Sequence, residues 1–154
     1  MLWKGKGGAG INDIFYLLED LGRSHPPPAL LILHFGTNDL VRVDEYGLRM
    51  KVAAMLQDCA SMFPLTTIFW SDILPRVVYQ GARSQPALER KRRTINKWAR
   101  AQSAKLTRVF SLHHPQFTWD DFSLFLADGV HLSRLGNGVF TANLRHCILS
   151  ALRL

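Results

Sequence analysis

The sequence predicts an α/β domain built on a parallel sheet. Three observations lead there. Short apolar runs of strand length alternate with longer segments whose apolar residues recur at helical spacing. The clearest of the short runs, "ALLILHF" at 29–35, is almost continuously apolar, as in a strand covered on both faces. The chain has 154 residues, which suits one domain over 1–154 with a proper core.

The elements follow in order. "INDIFYLLEDLG" puts Ile11, Ile14, Phe15, Leu18 and Leu21 on one helical face, and Gly22 supplies a stop signal. "SHPPP" is a stiff connector, because proline cannot continue a helix. After the strand at 29–35, a helix is expected over 44–62, with Leu48, Val52, Met55, Leu56 and Cys59 as its buried stripe. "LTTIFW" at 65–70 reads as the second strand. The loop after it is long, of the kind that carries function. Pro86 opens a helix to about residue 105, with Leu88, Ile95, Ala99 and Leu106 at helical spacing. "LTRVFSL" is a short third strand, and "HHPQFTWDDFSLFLADGVHLS" an aromatic-rich loop. A last helix over 134–152 is expected to bury Phe140, Leu144, Cys147, Ile148 and Ala151.

Composition narrows the class. Hydrophobic residues make up 47% and charged residues 20%, an ordinary globular balance. No apolar run approaches the roughly 18 residues of a membrane span, and the first ten residues lack the apolar core of a signal peptide. A cytoplasmic location is the default expectation. Cys59 and Cys147 fall on apolar helix faces and read as buried free thiols. The net charge is +7, much of it in "ERKRRTINKWAR" at 89–100. Arg90, Lys91, Arg92 and Arg93 there could meet nucleic-acid phosphates; the plainer reading is a solvated helix face, with Trp98 anchoring the helix in the core.

In a parallel sheet the site lies beyond the carboxyl ends of the strands, which nominates the segments 36–39, 71–76 and 128–131. In "HFGTNDL", Gly36 permits a tight exit from the strand and Asn38 can present an amide donor. "GKGGAGI" precedes a helix, so its backbone N–H groups could bind an anion. "DGVHLS" places a carboxylate and an imidazole three residues apart.

"GTND", "SDILPR" and "DGVHLS", in this order on this pattern, make the chain resemble the SGNH (GDSL-type) hydrolases, including esterase-like domains of vertebrate genomes and retrotransposons. The resemblance runs from Lys6 to the final helix. It implies a flavodoxin-like parallel sheet flanked by helices and an acyl-ester hydrolysis that uses no metal or cofactor. By this resemblance Asp128 and His131 are the orienting carboxylate and the base, and Asn38 and Gly8 (with Gly7 beside it) donate to the oxyanion. A small ester would be the substrate.

The family's nucleophile serine sits on a first strand, ahead of the glycine block. Only seven residues precede Gly8, and "MLWKGKG" contains no serine. The expectation is therefore a domain incomplete at its N-terminus, lacking the first strand and the nucleophile turn, and inactive as this chain. Ser71 lies at the correct edge of the sheet, but a loop hydroxyl capping backbone groups is the plainer reading. Ser133 is expected to cap the last helix, and Ser24 lies at the opposite edge. His34 reads as a core histidine, and no partner is evident for His25, His113, His114 or His146. A missing first strand would leave 29–35 as an open edge, to be covered by an upstream segment or a partner chain. The alternative is a non-catalytic interaction module, binding nucleic acid through the basic helix.

Overall fold

In the computed structural model, which describes residues 2–152, three parallel strands form one sheet in the order β1-β2-β3. Helix α1 (Ile11–Ser24) precedes β1 (Leu30–Leu33), and the short α2 (Asp39–Arg42) and long α3 (Glu45–Met62) lead to β2 (Thr67–Ser71). Helix α4 (Gln85–Ser103) connects β2 to β3 (Val109–Leu112). A single 3-10 turn (Phe122–Leu124) and α5 (Arg134–Leu152) complete the chain.

The hydrophobic periods place the helices. In α3 the buried residues are Leu48, Val52, Met55, Leu56 and Cys59, the stripe read from spacing. Asp44 starts this helix by accepting from the N–H of Gly47 at 2.8 Å. In α1, Ile11 and Leu18 are buried, while Ile14, Phe15 and Leu21 pack partly against the core. This helix does not stop at Gly22; it runs to Ser24 and ends where the prolines forbid another turn. Ser84 caps α4 through the N–H of Ala87, with proline in its first turn. Trp98 is only half-buried: its Nε1 donates to the Arg49 carbonyl at 3.0 Å and the Arg49 guanidinium stacks on the ring, so it docks α4 on α3 rather than entering the core.

The register divides the sheet faces. Leu31 and Leu33 lie beside Ile68 and Trp70, and Ile68 lies beside Val109. These residues meet Leu48, Met55, Ile95 and Ala99 in one core. On the other face lie Phe69, Phe110 and Ser71, with Phe110 49% exposed. That face is thinly covered, so the expectation of strands fully buried on both sides is corrected. Helix α5 follows the same pattern: only Gly136 and Cys147 are buried, and Phe140, Leu144, Ile148 and Ala151 are half-buried. The helix packs through Val139 and Phe140 on a small second cluster that includes Phe117, Leu124 and Phe125, and not on the main core, so its apolar side is only partly covered. Among the described residues no helix is long and apolar enough to cross a membrane. Both cysteines are free and buried.

Candidate functional site

The segments nominated by the sequence meet at the carboxyl edge of the sheet. Gly36 leaves β1 with φ +108, and a Cβ there would lie 2.8 Å from Ile73 Cδ1. Only glycine accepts both that dihedral and that contact. The turn delivers Asn38, Asp39 and Arg42 to the glycine-rich segment before α1. Asn38 Nδ2 donates to the Ala9 carbonyl at 2.9 Å, both carboxylate oxygens of Asp39 accept from the N–H of Ile11, and Arg42 reaches the Gly8 carbonyl at 3.4 Å. Gly8 has φ +70, and its N–H has no partner among the described residues.

Arg76, which the sequence analysis did not single out, completes this arrangement. Its Nη2 donates to Asn38 Oδ1 at 3.1 Å. Guanidinium can only donate and a carbonyl can only accept, so the two partners determine which end of the Asn38 amide is which. One Nδ2 hydrogen goes to Ala9, and the second has no partner among the described residues. Burial lowers the pKa of Arg76, while the charge of Asp128 opposes the shift. Two residues on, Val78 N–H donates to the Gly129 carbonyl at 3.1 Å. The loop after β2 thus touches both the "GTND" and the "DGVH" segments.

Asp128 and His131 are hydrogen-bonded, with Oδ2 2.7 Å from Nδ1. Asp128 Oδ1 also accepts from the N–H groups of Val130 and His131 at 2.8 and 3.0 Å, closing the loop on itself. The bond from His131, with the two backbone donors, brings Asp128 down to about 2. The carboxylate therefore stays ionised and holds a proton on Nδ1, which leaves Nε2 as the acceptor. The His131 side chain is 75% exposed, so that nitrogen faces solvent. Ser133 Oγ accepts from Gly136 N–H at 3.1 Å and donates to the Ser123 carbonyl, which caps α5 as expected.

Ser71 departs from its expected role. Among the described residues it caps no backbone group. It is 0% exposed, and its hydroxyl lies 3.0 Å from His34 Nδ1 and 2.7 Å from His114 Nε2. Asn143 on α5 lies 3.1 Å from His114 Nδ1. Phe140 packs on both rings, 4.8 Å from His34 and 5.1 Å from His114. His34 is thus partnered, but it follows β1 at the protein surface, against Ser71 and Phe140, and is not a core histidine. Burial, aided by His34 and His113, pushes the His114 imidazole down to about 4. Serine on the outer face of β2 and histidine beyond β3 become neighbours only through strand register, which no local motif signals.

The basic run of α4 is largely engaged within the chain. Lys91 Nζ donates to the carbonyls of Leu40 and Val43 at the end of α2. Arg92 and Arg93 both bind Glu89, at 2.7 and 2.8 Å. Of the four cations considered for nucleic acid, Arg90 alone has no side-chain partner among the described residues.

No family model and no curated protein matches the chain. Solved structures do. A family 3 carbohydrate esterase from Clostridium thermocellum is 20% identical, with a TM-score of 0.74 over 97% of this chain and 71% of that one. A GDSL-like lipase from Bacteroides thetaiotaomicron is 19% identical, with a TM-score of 0.73 over 96% of this chain and 75% of its own. A family 3 carbohydrate esterase from Talaromyces cellulolyticus is 18% identical, with a TM-score of 0.67 over 97% of this chain and 72% of its own. The chain has the fold of these proteins, that of the GDSL-type (SGNH) hydrolases.

Proposed function

We propose that this chain, with its SGNH-type fold, carries the base and the oxyanion-binding half of an ester hydrolase and turns over only when a serine hydroxyl is brought to His131. The observation that carries the reading is the 2.7 Å bond between Asp128 and His131 beside an Asn38 amide oriented by two partners.

The chemistry follows from those groups. A serine hydroxyl is a weak nucleophile at neutral pH and needs an adjacent base. His131 Nε2 takes its proton as the oxygen bonds to the acyl carbon. Asp128 stabilises the imidazolium and keeps its orientation. The free Nδ2 hydrogen of Asn38 and the Gly8 N–H donate to the oxyanion, each worth about 3–4 kcal/mol in such sites. His131 then returns the proton to the leaving alcohol, and water repeats the sequence on the acyl-serine.

Among the described residues no serine is hydrogen-bonded to His131. Ser133 is occupied by Ser123 and Gly136, and Ser71 is buried between two imidazoles. The chain by itself is therefore expected to be inactive. The unpaired edge of β1 is where a further strand, from a preceding segment or a partner chain, would join the sheet and bring the hydroxyl.

The test assays a short-chain aryl ester with this chain and with a version extended by a strand–Gly-Asp-Ser–helix segment ahead of Gly5. The expected result is no turnover for the first and turnover lost on His131→Ala for the second. An extended form that folds and shows no His131-dependent turnover ends the hydrolase reading. Turnover by the chain alone would show that another hydroxyl serves.

A further inference from the structure

Arg76 holds more donors than its bond to Asn38 uses. A guanidinium has five N–H groups, and one of them, on Nη2, goes to Asn38 Oδ1. Nε and Nη1 have no hydrogen-bond partner among the described residues, yet neither is closed to water. Nη2 shares one edge of the guanidinium with Nε and another with Nη1, with one of its hydrogens on each. Whichever hydrogen Asn38 takes, one two-pronged edge stays whole. Orienting an amide needs a single donor, so a half-buried cation is more than that task requires.

The charge is also unpaired. Arg76 is in no ion pair among the described residues. The carboxylate it feels is that of Asp128, whose two oxygens are taken by His131 Nδ1 and by the N–H groups of Val130 and His131. Arg42 stands at the same edge, but Asp13 and Asp39 lie near it and offset its charge. Arg76 is therefore the cation left for a ligand. Its loop touches Asn38 on one side and, through Val78, Gly129 on the other, so it stands between the oxyanion donor and the loop of the base.

An open fork suits a planar anion with two oxygens on one carbon, which a carboxylate is. The guanidinium lies one hydrogen bond beyond the far end of the Asn38 amide, roughly 5 Å from Nδ2. A carboxylate about three bonds from an ester carbonyl spans that gap.

We propose that the ester received here carries a carboxylate near its carbonyl, bound by the open fork of Arg76 while Asn38 and Gly8 meet the carbonyl oxygen. The substrate class rests on the hydrolase reading; the binding of such an ester does not. The carboxylate belongs either to the acyl part, as in a dicarboxylic monoester, or to the alcohol part, as in an ester of a hydroxy acid.

The test is a magnetic-resonance titration of the isotope-labelled whole chain at about pH 6.5, where carboxylates are ionised. It follows Arg76 Nε–H and the Asn38 side-chain amide. Monomethyl succinate and its dimethyl ester probe the acyl side; acetoxyacetate and its methyl ester probe the alcohol side. One of the two anions is expected to move both resonances and to bind about tenfold more tightly than its neutral ester, the worth of a charge-assisted bond. Arg76→Gln keeps a donor for Asn38 but has no fork, and is expected to bring anion and neutral ester within about threefold. Neither anion binding, no preference over the neutral esters in the unaltered chain, or the full preference in a folded Arg76→Gln would each overturn the proposal. The unaltered chain decides by itself if that variant does not fold. In the form extended by the serine segment, turnover of neutral aryl esters with no preference for the aryl hemisuccinate or the aryl ester's hydroxy-acid counterpart would sink this inference alone. Carboxylate binding without His131-dependent turnover there would end the hydrolase reading and leave the Arg76 site standing.

Discussion

Arg76 and Asn38 come from loops that follow different strands and meet at 3.1 Å, guanidinium to amide oxygen. With the Ala9 carbonyl on the other end of the amide, the pair sets the donor face of Asn38 before any ligand arrives. Asn38→Asp keeps the oxygen that Arg76 binds but turns a second oxygen toward the Ala9 carbonyl. It is expected to lower stability by about 1–3 kcal/mol in urea unfolding, the cost of a broken and repelled buried bond. An unchanged midpoint would mean that the amide is not held as described.

Asp39 ties the glycine-rich segment to the sheet through the first N–H of α1. Burial raises its pKa, and the Ile11 N–H opposes the shift. Asp39→Ala should cost about 1–2 kcal/mol, as for other lost helix caps. Hydrogen exchange at the Ile11 amide should quicken with it, whereas exchange in α3 should follow only the global change.

Gly136 allows α5 to touch the 3-10 turn. A Cβ at this position would lie 2.0 Å from the Leu124 carbonyl oxygen, which is backbone and cannot rotate away. Gly136→Ala is expected to destabilise by about 3 kcal/mol, at the upper end for overpacking. Because Leu124 O also accepts from Ser133 N–H, the loop holding His131 should shift, visible as changed amide resonances at 128–133.

His114 makes stability fall in acid. Its imidazole titrates near 4 in the folded protein and near 6.5 when unfolded, so between those values the unfolded chain binds the extra proton. Its contribution is intact above about pH 6.5 and declines as pH drops toward 4, by on the order of 3 kcal/mol. His114→Gln should flatten that part of the stability–pH curve relative to the parent. A curve of identical slope in both proteins would refute this role.

Much of the fold was legible because it rests on local periods. The stripe of α3, the strand at 29–35 and the cap at Ser133 each follow from residue spacing within one element. The pairing of Asp128 with His131 was legible for the same reason, since three residues span a single turn. The short α2 was missed: four residues carry no period, and it is held by Asp39 and by the carbonyls that Lys91 caps.

What required the tertiary structure are contacts between segments far apart in the chain. Arg76 finds Asn38 across 38 residues, and Ser71 finds His114 across 43. The basic run looked like a charged surface in sequence, yet Lys91 and Arg92 reach backbone carbonyls 19 to 51 residues away. The sequence alone determined the elements and the motif residues, because side-chain spacing on a helix or strand is set by backbone geometry. Which polar groups face one another was decided by strand register and helix docking, and these emerge only when the apolar faces close over a common core.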